Sequence, residues 1–338
     1  MSAIGFDFGN HSSYVALVRT GGIETVDNEQ SYRATPTAVS FTDLLRFTGN
    51  SAKTQAITNF RNTFLNFKNL IGLLYDDPIA KKEMSLISSK FLKMEDGSIG
   101  VEAKYLGNTC YFSIIQLVVM MLSDLKKTTL RHIPNFTTCV LSVPNYFSDT
   151  QRRCFLDACR VAELDPLTLV SDTVAGCLDF MVFKCDLPED DQPARNIAFV
   201  NVGYSSTQVC IAAFNRSKLR VLASVGTCGV GGRMFDLCLY QKFRQEFQKK
   251  HNIDIESNKK AQLKLLTECE SLKKLLNTTT SLLPLRIECL YNDIDFNSTI
   301  SRDELNELSA PIFSEFKEIL ESALKSSNLA LEDIYAVE

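Results

Sequence analysis

One twelve-residue pattern occurs twice in this chain: residues 4–15 return as residues 198–209, an offset of 194 positions (198 minus 4). In both copies an apolar strand ends at Asp7 or Asn201, a glycine follows after one residue, and a polar turn leads into a second strand. Each copy predicts a β-hairpin. This repeat limits the fold more than any other feature, because it requires two halves that are built alike.

Chance is the alternative explanation, since turns use glycine and serine wherever they occur. The order of the following segments favours duplication. After the first copy come an insertion, a strand at residues 138–143 and a helix; after the second come an insertion and a strand-like segment at residues 334–337. The second half resembles an unfinished copy of the first. We therefore predict an α/β protein with two lobes, each built on a sheet, and a ligand cleft between them.

Three helices are predicted from start signals and apolar spacing. The first opens at Ser148 with Gln151 as capping-box partner, and its predicted apolar face is Cys154, Ala158, Val161 and Ala162. The second covers residues 260–276, with an apolar stripe of Leu265, Cys269, Leu272 and Leu276. The third precedes Lys68, with a stripe of Ile57, Phe60, Phe64 and Phe67.

Charge and composition exclude several classes of function. The 36 basic and 40 acidic residues are spread along the chain and leave a net charge of -4, so no global field attracts nucleic acid or a membrane surface. The apolar run at residues 114–122 is far shorter than the roughly 20 residues of a membrane helix. Asp7 interrupts the apolar core that a secretion signal needs. We expect a cytoplasmic protein, with the nucleus as a second compartment.

Three glycine-bearing turns are candidates for phosphate binding: residues 7–10, 201–204 and 226–232. Backbone N–H groups in such turns and at helix N-termini attract anions. None of the three is a Walker A loop, because no Gly-Lys-Ser/Thr follows. A tight turn is the simpler explanation for any one of them, but the three together indicate a phosphate site.

Charged side chains add to this indication. Asp7 ends a buried strand, so its carboxylate needs a hydrogen-bond partner or a cation, often through water, whereas its counterpart Asn201 carries no charge. A lysine beside an apolar stripe, such as Lys68, usually faces solvent. One helix has a polar face with i, i+3, i+4, i+7 spacing, which a solvated surface would also explain. Its residues are Glu270, Lys273, Lys274 and Asn277.

Several segments match one protein family at the family's own spacing. They are residues 5–9, 21–25, 62–68, 141–144, 171–175, 199–203, 269–275 and 283–289. Over its whole length the chain resembles the nucleotide-binding domain of the heat-shock protein 110 branch of the heat-shock protein 70 superfamily. The resemblance implies an actin-like ATPase fold, with duplicated ribonuclease H-like lobes around a central nucleotide cleft.

The resemblance also implies a division into domains. Lobe I is expected at residues 1–185, with an insertion subdomain at about 38–112, and lobe II at residues 186–338, with an insertion at about 226–302. The family continues past the position of residue 338 with a glycine-rich segment, a peptide-binding domain and a lid domain. The chain is therefore expected to hold an incomplete lobe II and neither of those two domains.

By the same resemblance, ATP or ADP and Mg²⁺ occupy the cleft. Asp7 would hold Mg²⁺ through water, Lys68 would contact the terminal phosphate, and Asp172 would help to place water and the cation. The other residues implied to bind nucleotide are Gly9, Asn10, His11, Asn201, Gly203, Tyr204, Gly231, Gly232, Glu270, Lys273, Lys274 and Asn277.

Departures from the hydrolysing members of the superfamily affect the chemistry. Asn201 stands where they have an aspartate, Gln208 replaces a second acid, and Tyr204 and Ser205 replace two of three glycines. Fewer carboxylates leave less capacity for general-base catalysis and for orienting a metal. ATP binding is therefore expected with weak or absent hydrolysis.

The expected function is that of an ATP-binding co-chaperone in protein folding and the stress response. It would dock on a heat-shock 70 chaperone and promote nucleotide exchange there, without a nucleic-acid or membrane partner. One alternative is a truncated interaction module that no longer binds nucleotide. The other is a slow ATPase chaperone that uses Asp172 as its residual acid.

Overall fold

The computed structural model describes residues 4–136, 138–279 and 281–338. In the first half the strands are β1 (Ile4–Asp7), β2 (Ser12–Arg19), β3 (Gly22–Thr25), β4 (Thr35–Pro36), β5 (Ala38–Phe41), β6 (Arg46–Thr48), β7 (Thr63–Leu65), β8 (Phe91–Lys93), β9 (Ile99–Tyr105), β10 (Asn108–Ser113), β11 (Thr138–Val143) and β12 (Asp165–Ser171). The helices are α1 (Gly49–Lys53), α2 (Pro78–Ser85), α3 (Ile114–His132), α4 (Asp149–Val161) and α5 (Asp172–Phe183).

The second half repeats the alternation of strands and helices. Its strands are β13 (Arg195–Val202), β14 (Ser206–Phe214), β15 (Leu219–Cys228), β16 (Leu283–Tyr291), β17 (Ile294–Ile300) and β18 (Ala336–Val337). Its helices are α6 (Gly232–His251), α7 (Lys259–Leu276), α8 (Arg302–Leu308) and α9 (Ala310–Ser327). Within the described ranges, no helix is long and apolar enough to cross a membrane.

Two sheets of matching order confirm the predicted duplication. The main sheet of the first half has the order β12-β11-β1-β2-β3, and that of the second half has the order β15-β14-β13-β18. β1 pairs antiparallel with β2 and parallel with β11, while β13 pairs antiparallel with β14 and parallel with β18. Each half therefore places one glycine turn at the end of its own central hairpin.

Separate hydrophobic cores hold the two halves. One large buried cluster lies entirely within residues 4–164. A second cluster joins α6 and α7 to the β16–β17 hairpin, where Phe243 and Phe247 pack edge-on against Phe296. Two smaller clusters cover the faces of the second sheet, one of them with α9. We keep lobe I for the first half and lobe II for the second; the boundary at residue 185 stays a proposal.

Helix α5 connects the two lobes. It begins at Asp172, directly after Ser171 at the end of β12, so no loop residue separates the lobe I strand from the helix. Along α5, Cys177 is fully buried in the cluster formed with β13 and β14, and Phe180 packs edge-on against Phe199. The helix thus continues from the lobe I sheet and packs on the lobe II sheet.

The predicted helices have mixed outcomes. The capping box at Ser148 and Gln151 is present at the start of α4, and α7 buries its four predicted residues. On α4, however, Val161 is 68% exposed, and Phe155 and Cys159 are buried instead. The predicted helix over residues 57–67 is wrong. A short 3-10 turn and β7 occupy that segment, because β7 pairs with β5 in a sheet.

Candidate functional site

The two duplicated turns converge on one cavity between the lobes. Asn10 in the first turn donates a hydrogen bond through Nδ2 to Ser205 Oγ in the second turn, at 2.7 Å. Gly9 and Gly203 both line the same cavity of about 520 Å³. Asn10 is buried, and its Oδ1 accepts a bond from the Lys68 backbone N–H at 2.9 Å. One side chain therefore ties together both turns and the lysine beside them.

Close backbone packing explains the glycine of the first turn. A Cβ added at Gly9 would lie 2.1 Å from the Ser12 carbonyl oxygen, which is far inside van der Waals contact. At Gly231, in the third turn, a Cβ would lie 2.7 Å from the Gly203 carbonyl oxygen and 2.8 Å from the Ser206 nitrogen. Both positions exclude any side chain.

A matched pair of substitutions tests this packing. Gly9→Ala is expected to lower the free energy of unfolding by about 1–3 kcal/mol, because the backbone must shift to admit the methyl group. Gly5→Ala, four residues earlier in β1, places its Cβ with no heavy atom within 4 Å and is expected to cost little. Urea unfolding of both variants measures the difference. Equal stabilities would contradict the close approach at Gly9.

Asp7, Lys68 and Asp172 bring both signs of charge into the cavity. The Asp7 carboxylate is open to the cleft and accepts a hydrogen bond from Ser142 Oγ at 3.1 Å. Protein atoms surround it on its other sides, and this burial raises its pKa, whereas the Lys68 ammonium lowers the pKa and the Asp172 carboxylate raises it further. Any cation placed here would relieve the repulsion between the two acids.

Lys68 is 3% exposed, against the expectation that a lysine beside an apolar stripe faces solvent. Its ammonium group lies 5.9 Å from the centre of the Phe147 ring and lines the cavity. Among the residues that the structure describes, no carboxylate is close enough to form an ion pair with it. An ammonium group that lines a cavity and forms no ion pair can bind an anion there, so this position suits a phosphate.

Gln208 positions Asp172, the other acid that lines the cavity. Its Nε2 donates to Asp172 Oδ2 at 2.9 Å, and its Oε1 accepts from the backbone N–H of Asn145 at 2.7 Å. The other oxygen, Asp172 Oδ1, is buried without a hydrogen-bond partner among the described residues. An orphaned carboxylate oxygen beside a polar cavity has room for water or a hard cation. The residues present therefore fit a hydrated Mg²⁺ and a phosphate.

The third turn supports the second one. The N–H of Gly232 donates to the Gly203 carbonyl at 2.9 Å, and the N–H of Arg233 donates to the Tyr204 carbonyl at 2.7 Å. Gly231 and Gly232 do not line the 520 Å³ cavity. The structure therefore places them behind the second turn, and their predicted contact with phosphate stays a prediction.

The polar face of α7, which the resemblance implies to bind the nucleoside, is only partly turned to the cleft. Glu270 lines a neighbouring cavity of about 320 Å³, whereas Lys273, Lys274 and Asn277 line neither cavity. Lys273 Nζ lies 2.6 Å from Asp236 Oδ1 and donates to the Gly232 carbonyl. Their predicted nucleoside contacts therefore stay predictions, as does the predicted nucleotide contact of Asn201, which lines the larger cavity.

An aromatic pair separates the two cavities. The His11 and Tyr204 rings have centroids 4.5 Å apart, and both residues line both cavities. His11 Nε2 lies 3.4 Å from Glu270 Oε1 and 3.5 Å from Lys53 Nζ. Hydrogen bonding to His11 holds the pKa of Glu270 far below its usual range, although burial opposes the shift, and Lys274 lowers it further.

Sequence reasoning missed a buried ion pair between the lobes. Arg233, in the first turn of α6, donates to both oxygens of Glu83 on α2, at 2.9 and 2.8 Å. Asn69 Nδ2 donates to Glu83 at 3.2 Å and to Ser205 Oγ at 2.9 Å. Arg233 and Glu83 are 3% and 2% exposed. No local pattern in the sequence signals a pair whose members are 150 positions apart.

Comparison with known proteins agrees with this geometry. The family described as Hsp70 protein matches residues 3–338. The chain is 40% identical to the 97 kDa heat shock protein of Strongylocentrotus purpuratus over 339 aligned residues, which cover 100% of this chain and 38% of that protein. It is 40% identical to heat shock 70 kDa protein 4L of Homo sapiens, over 100% of this chain and 40% of the relative.

A third relative is heat shock protein 110 of Caenorhabditis elegans, which is 39% identical over 323 residues, 95% of this chain and 42% of the relative. The chain thus spans about two fifths of the length of these proteins. The matches confirm the resemblance to the heat-shock protein 110 branch, and the matched domain has the predicted actin-like ATPase fold. The chain belongs to the Hsp70 protein family.

Proposed function

We propose that this chain binds Mg-ATP or Mg-ADP in the cleft and hydrolyses ATP weakly or not at all. The observation that carries the proposal is Lys68: its side chain is almost fully covered, forms no ion pair with the described residues, and lines a cavity between two glycine turns. A nucleotide would supply the missing negative charge, and Mg²⁺ would supply positive charge beside Asp7 and Asp172. The bound nucleotide and Mg²⁺ would then balance the charges of Lys68, Asp7 and Asp172 in one cavity.

Low turnover follows from how the side chains around Asp172 are engaged. Its Oδ2 accepts a hydrogen bond from Gln208, which cannot accept a proton from water at neutral pH. Position 201, across the cavity, carries an amide rather than a carboxylate. A general base must be free and positioned to take a proton, and one carboxylate oxygen, Asp172 Oδ1, is left for this role. The side chains present can orient a phosphate and a cation, but they provide little capacity for activating water.

For the whole protein, we propose the role of a heat-shock chaperone of the heat-shock protein 110 type that promotes nucleotide exchange on a heat-shock 70 chaperone. The printed names of the relatives, which are heat shock proteins, support a chaperone role. The exchange activity and the cytoplasmic location are inferred from the resemblance. Release of a fluorescent ADP from a purified heat-shock 70 chaperone, with and without this protein, tests the exchange activity directly.

Calorimetric titration with Mg-ATP, followed by an assay of phosphate release, tests the proposed nucleotide site. We expect saturable binding, a rise in melting temperature because the ligand binds the native state, and phosphate release close to the background rate. No binding would instead support the truncated interaction module. Steady turnover that disappears in Asp172→Asn would support the slow ATPase.

A further inference from the structure

The resemblance implies that the Glu270 carboxylate binds the nucleoside. In the structure this carboxylate already contacts two side chains of the protein. Glu270 Oε1 lies 3.4 Å from His11 Nε2 and 2.6 Å from Lys274 Nζ. His11 lies in the first glycine turn and lines both cavities, so its ring extends from the 520 Å³ cavity to α7. The side chain thus lies across the path that would join a phosphate between the turns to a nucleoside at Glu270.

Only one of the two ring nitrogens of His11 has partners among the described residues. It packs on Tyr204 at 4.5 Å between centroids, and its Nε2 faces Glu270 and Lys53. Its Nδ1 is buried and has no hydrogen-bond partner among the described residues. Displacing the ring would return Nδ1 to water, which offsets part of the cost of breaking the contact with Glu270.

The space behind the ring pair could receive part of a ligand. The 320 Å³ cavity beyond His11 and Tyr204 has apolar walls that include Ile57, Phe60 and Leu266, and Glu270 stands on its border. A carboxylate accepts hydrogen bonds from hydroxyl groups such as those of a ribose. A ligand that carries only phosphate needs the larger cavity, whereas a nucleotide needs Glu270 as well.

We propose that His11 competes with the nucleoside for Glu270, so that this side chain lowers the affinity of the site for ATP but not to the same degree for a phosphate chain alone. The proposal rests on the proposed nucleotide site. His11 then acts as a specificity-determining residue: phosphate enters with the ring in place, and a nucleoside binds only after the ring has left Glu270.

Calorimetric titration of the wild-type protein and His11→Ala, each with Mg-ATP and with Mg-tripolyphosphate, tests the competition. We expect His11→Ala to increase the affinity for ATP about tenfold, as the loss of one hydrogen-bonding competitor would give, and to affect tripolyphosphate several-fold less. His132→Ala is the matched control, because His132 also lies near a carboxylate, 3.6 Å from Asp27, but lines neither cavity.

Two results distinguish a failure of the proposed competition from a failure of the proposed nucleotide site. If ATP binds the variant no more tightly than the wild type, or both ligands gain equally, the competition is wrong and the nucleotide site stands. If neither protein binds ATP or tripolyphosphate, the site is wrong and the competition with it. Should His11→Ala fail to fold, the wild-type His11 ring resonance in an NMR spectrum decides: it must shift with Mg-ATP and stay in place with Mg-tripolyphosphate.

Discussion

Replacing Arg233 with methionine is expected to lower the free energy of unfolding by about 3–5 kcal/mol, because the substitution leaves the buried Glu83 carboxylate without its partner. Both side chains are almost fully buried, and the guanidinium group contacts both carboxylate oxygens. Chemical denaturation of the variant and the wild type, monitored by circular dichroism, measures the difference. This pair also joins the two lobes, so the variant is expected to lose the closed cleft before it unfolds.

The double variant Glu83→Leu with Arg233→Met isolates the unpaired charge as the cause. Replacing both members of a buried pair with apolar side chains is often neutral or stabilising, by about 1–4 kcal/mol. Asn69 Nδ2 keeps its bond to Ser205 in that variant. A double variant as unstable as Arg233→Met would contradict this explanation. The exposed pair of Arg216 and Glu189 is a control, since Arg216→Met should change stability very little.

Lys68→Met is expected to weaken Mg-ATP binding about 10- to 100-fold, which corresponds to the loss of one hydrogen bond to a charged group. The same change is expected to alter the melting temperature of the nucleotide-free protein very little, because the desolvation of the ammonium group and its attraction to Asp7 oppose each other. Calorimetry measures the first effect and thermal unfolding the second. A large loss of affinity with little change in melting temperature distinguishes a ligand-binding lysine from a structural one.

Lys81→Met is the matched control for this experiment. Lys81 lies on α2 with its side chain 57% exposed and forms an ion pair with Asp76 at 3.3 Å. Neither ATP affinity nor melting temperature should respond strongly to its loss. If Lys68→Met binds Mg-ATP as tightly as Lys81→Met does, Lys68 does not contact the phosphates.

The parts of the fold that depend on neighbouring residues could be predicted from the sequence. The turns after Asp7 and Asn201 follow local turn chemistry, and the structure places both at the ends of paired hairpins. The capping box at Ser148 and Gln151 involves residues three positions apart. In each case the physical signal lies within one turn of the chain, where spacing and residue type determine the geometry.

The segment before Lys68 shows where local reasoning fails. Ile57, Phe60, Phe64 and Phe67 have helical spacing, but Asn59 donates a side-chain bond to the Phe41 carbonyl at 2.8 Å and Thr63 pairs with Ser40 in the sheet. Asn66 has a φ of 58°, which no α-helix accommodates. Pairing with β5 therefore overrides the helical pattern. Phe64 and Phe67 are buried, but from a strand and a turn, and Phe60 is half-buried.

The contacts that close the cleft could not be predicted from one sequence. Asn10 and Ser205 are 195 positions apart, and Asn69 and Ser205 are 136 apart. Neither separation follows a helical or strand period, and single asparagine or serine residues carry no signal of their own. The burial of Lys68 has a similar origin, since its neighbours Asn10 and Phe147 lie far from it in the sequence. These contacts form only when distant segments of the chain pack against each other.

The continuity of β12 and α5 gives Asp172 a mechanical position as well as a chemical one. The strand pairs with β11 in the first sheet, the helix packs on the second, and Ser171 and Asp172 are joined directly. A change in angle between the sheets would bend the chain at this junction and move the Asp172 carboxylate with it. In the proposed site, a substitution at Ser171 or Asp172 would therefore affect both the junction between the lobes and the acid beside the cation.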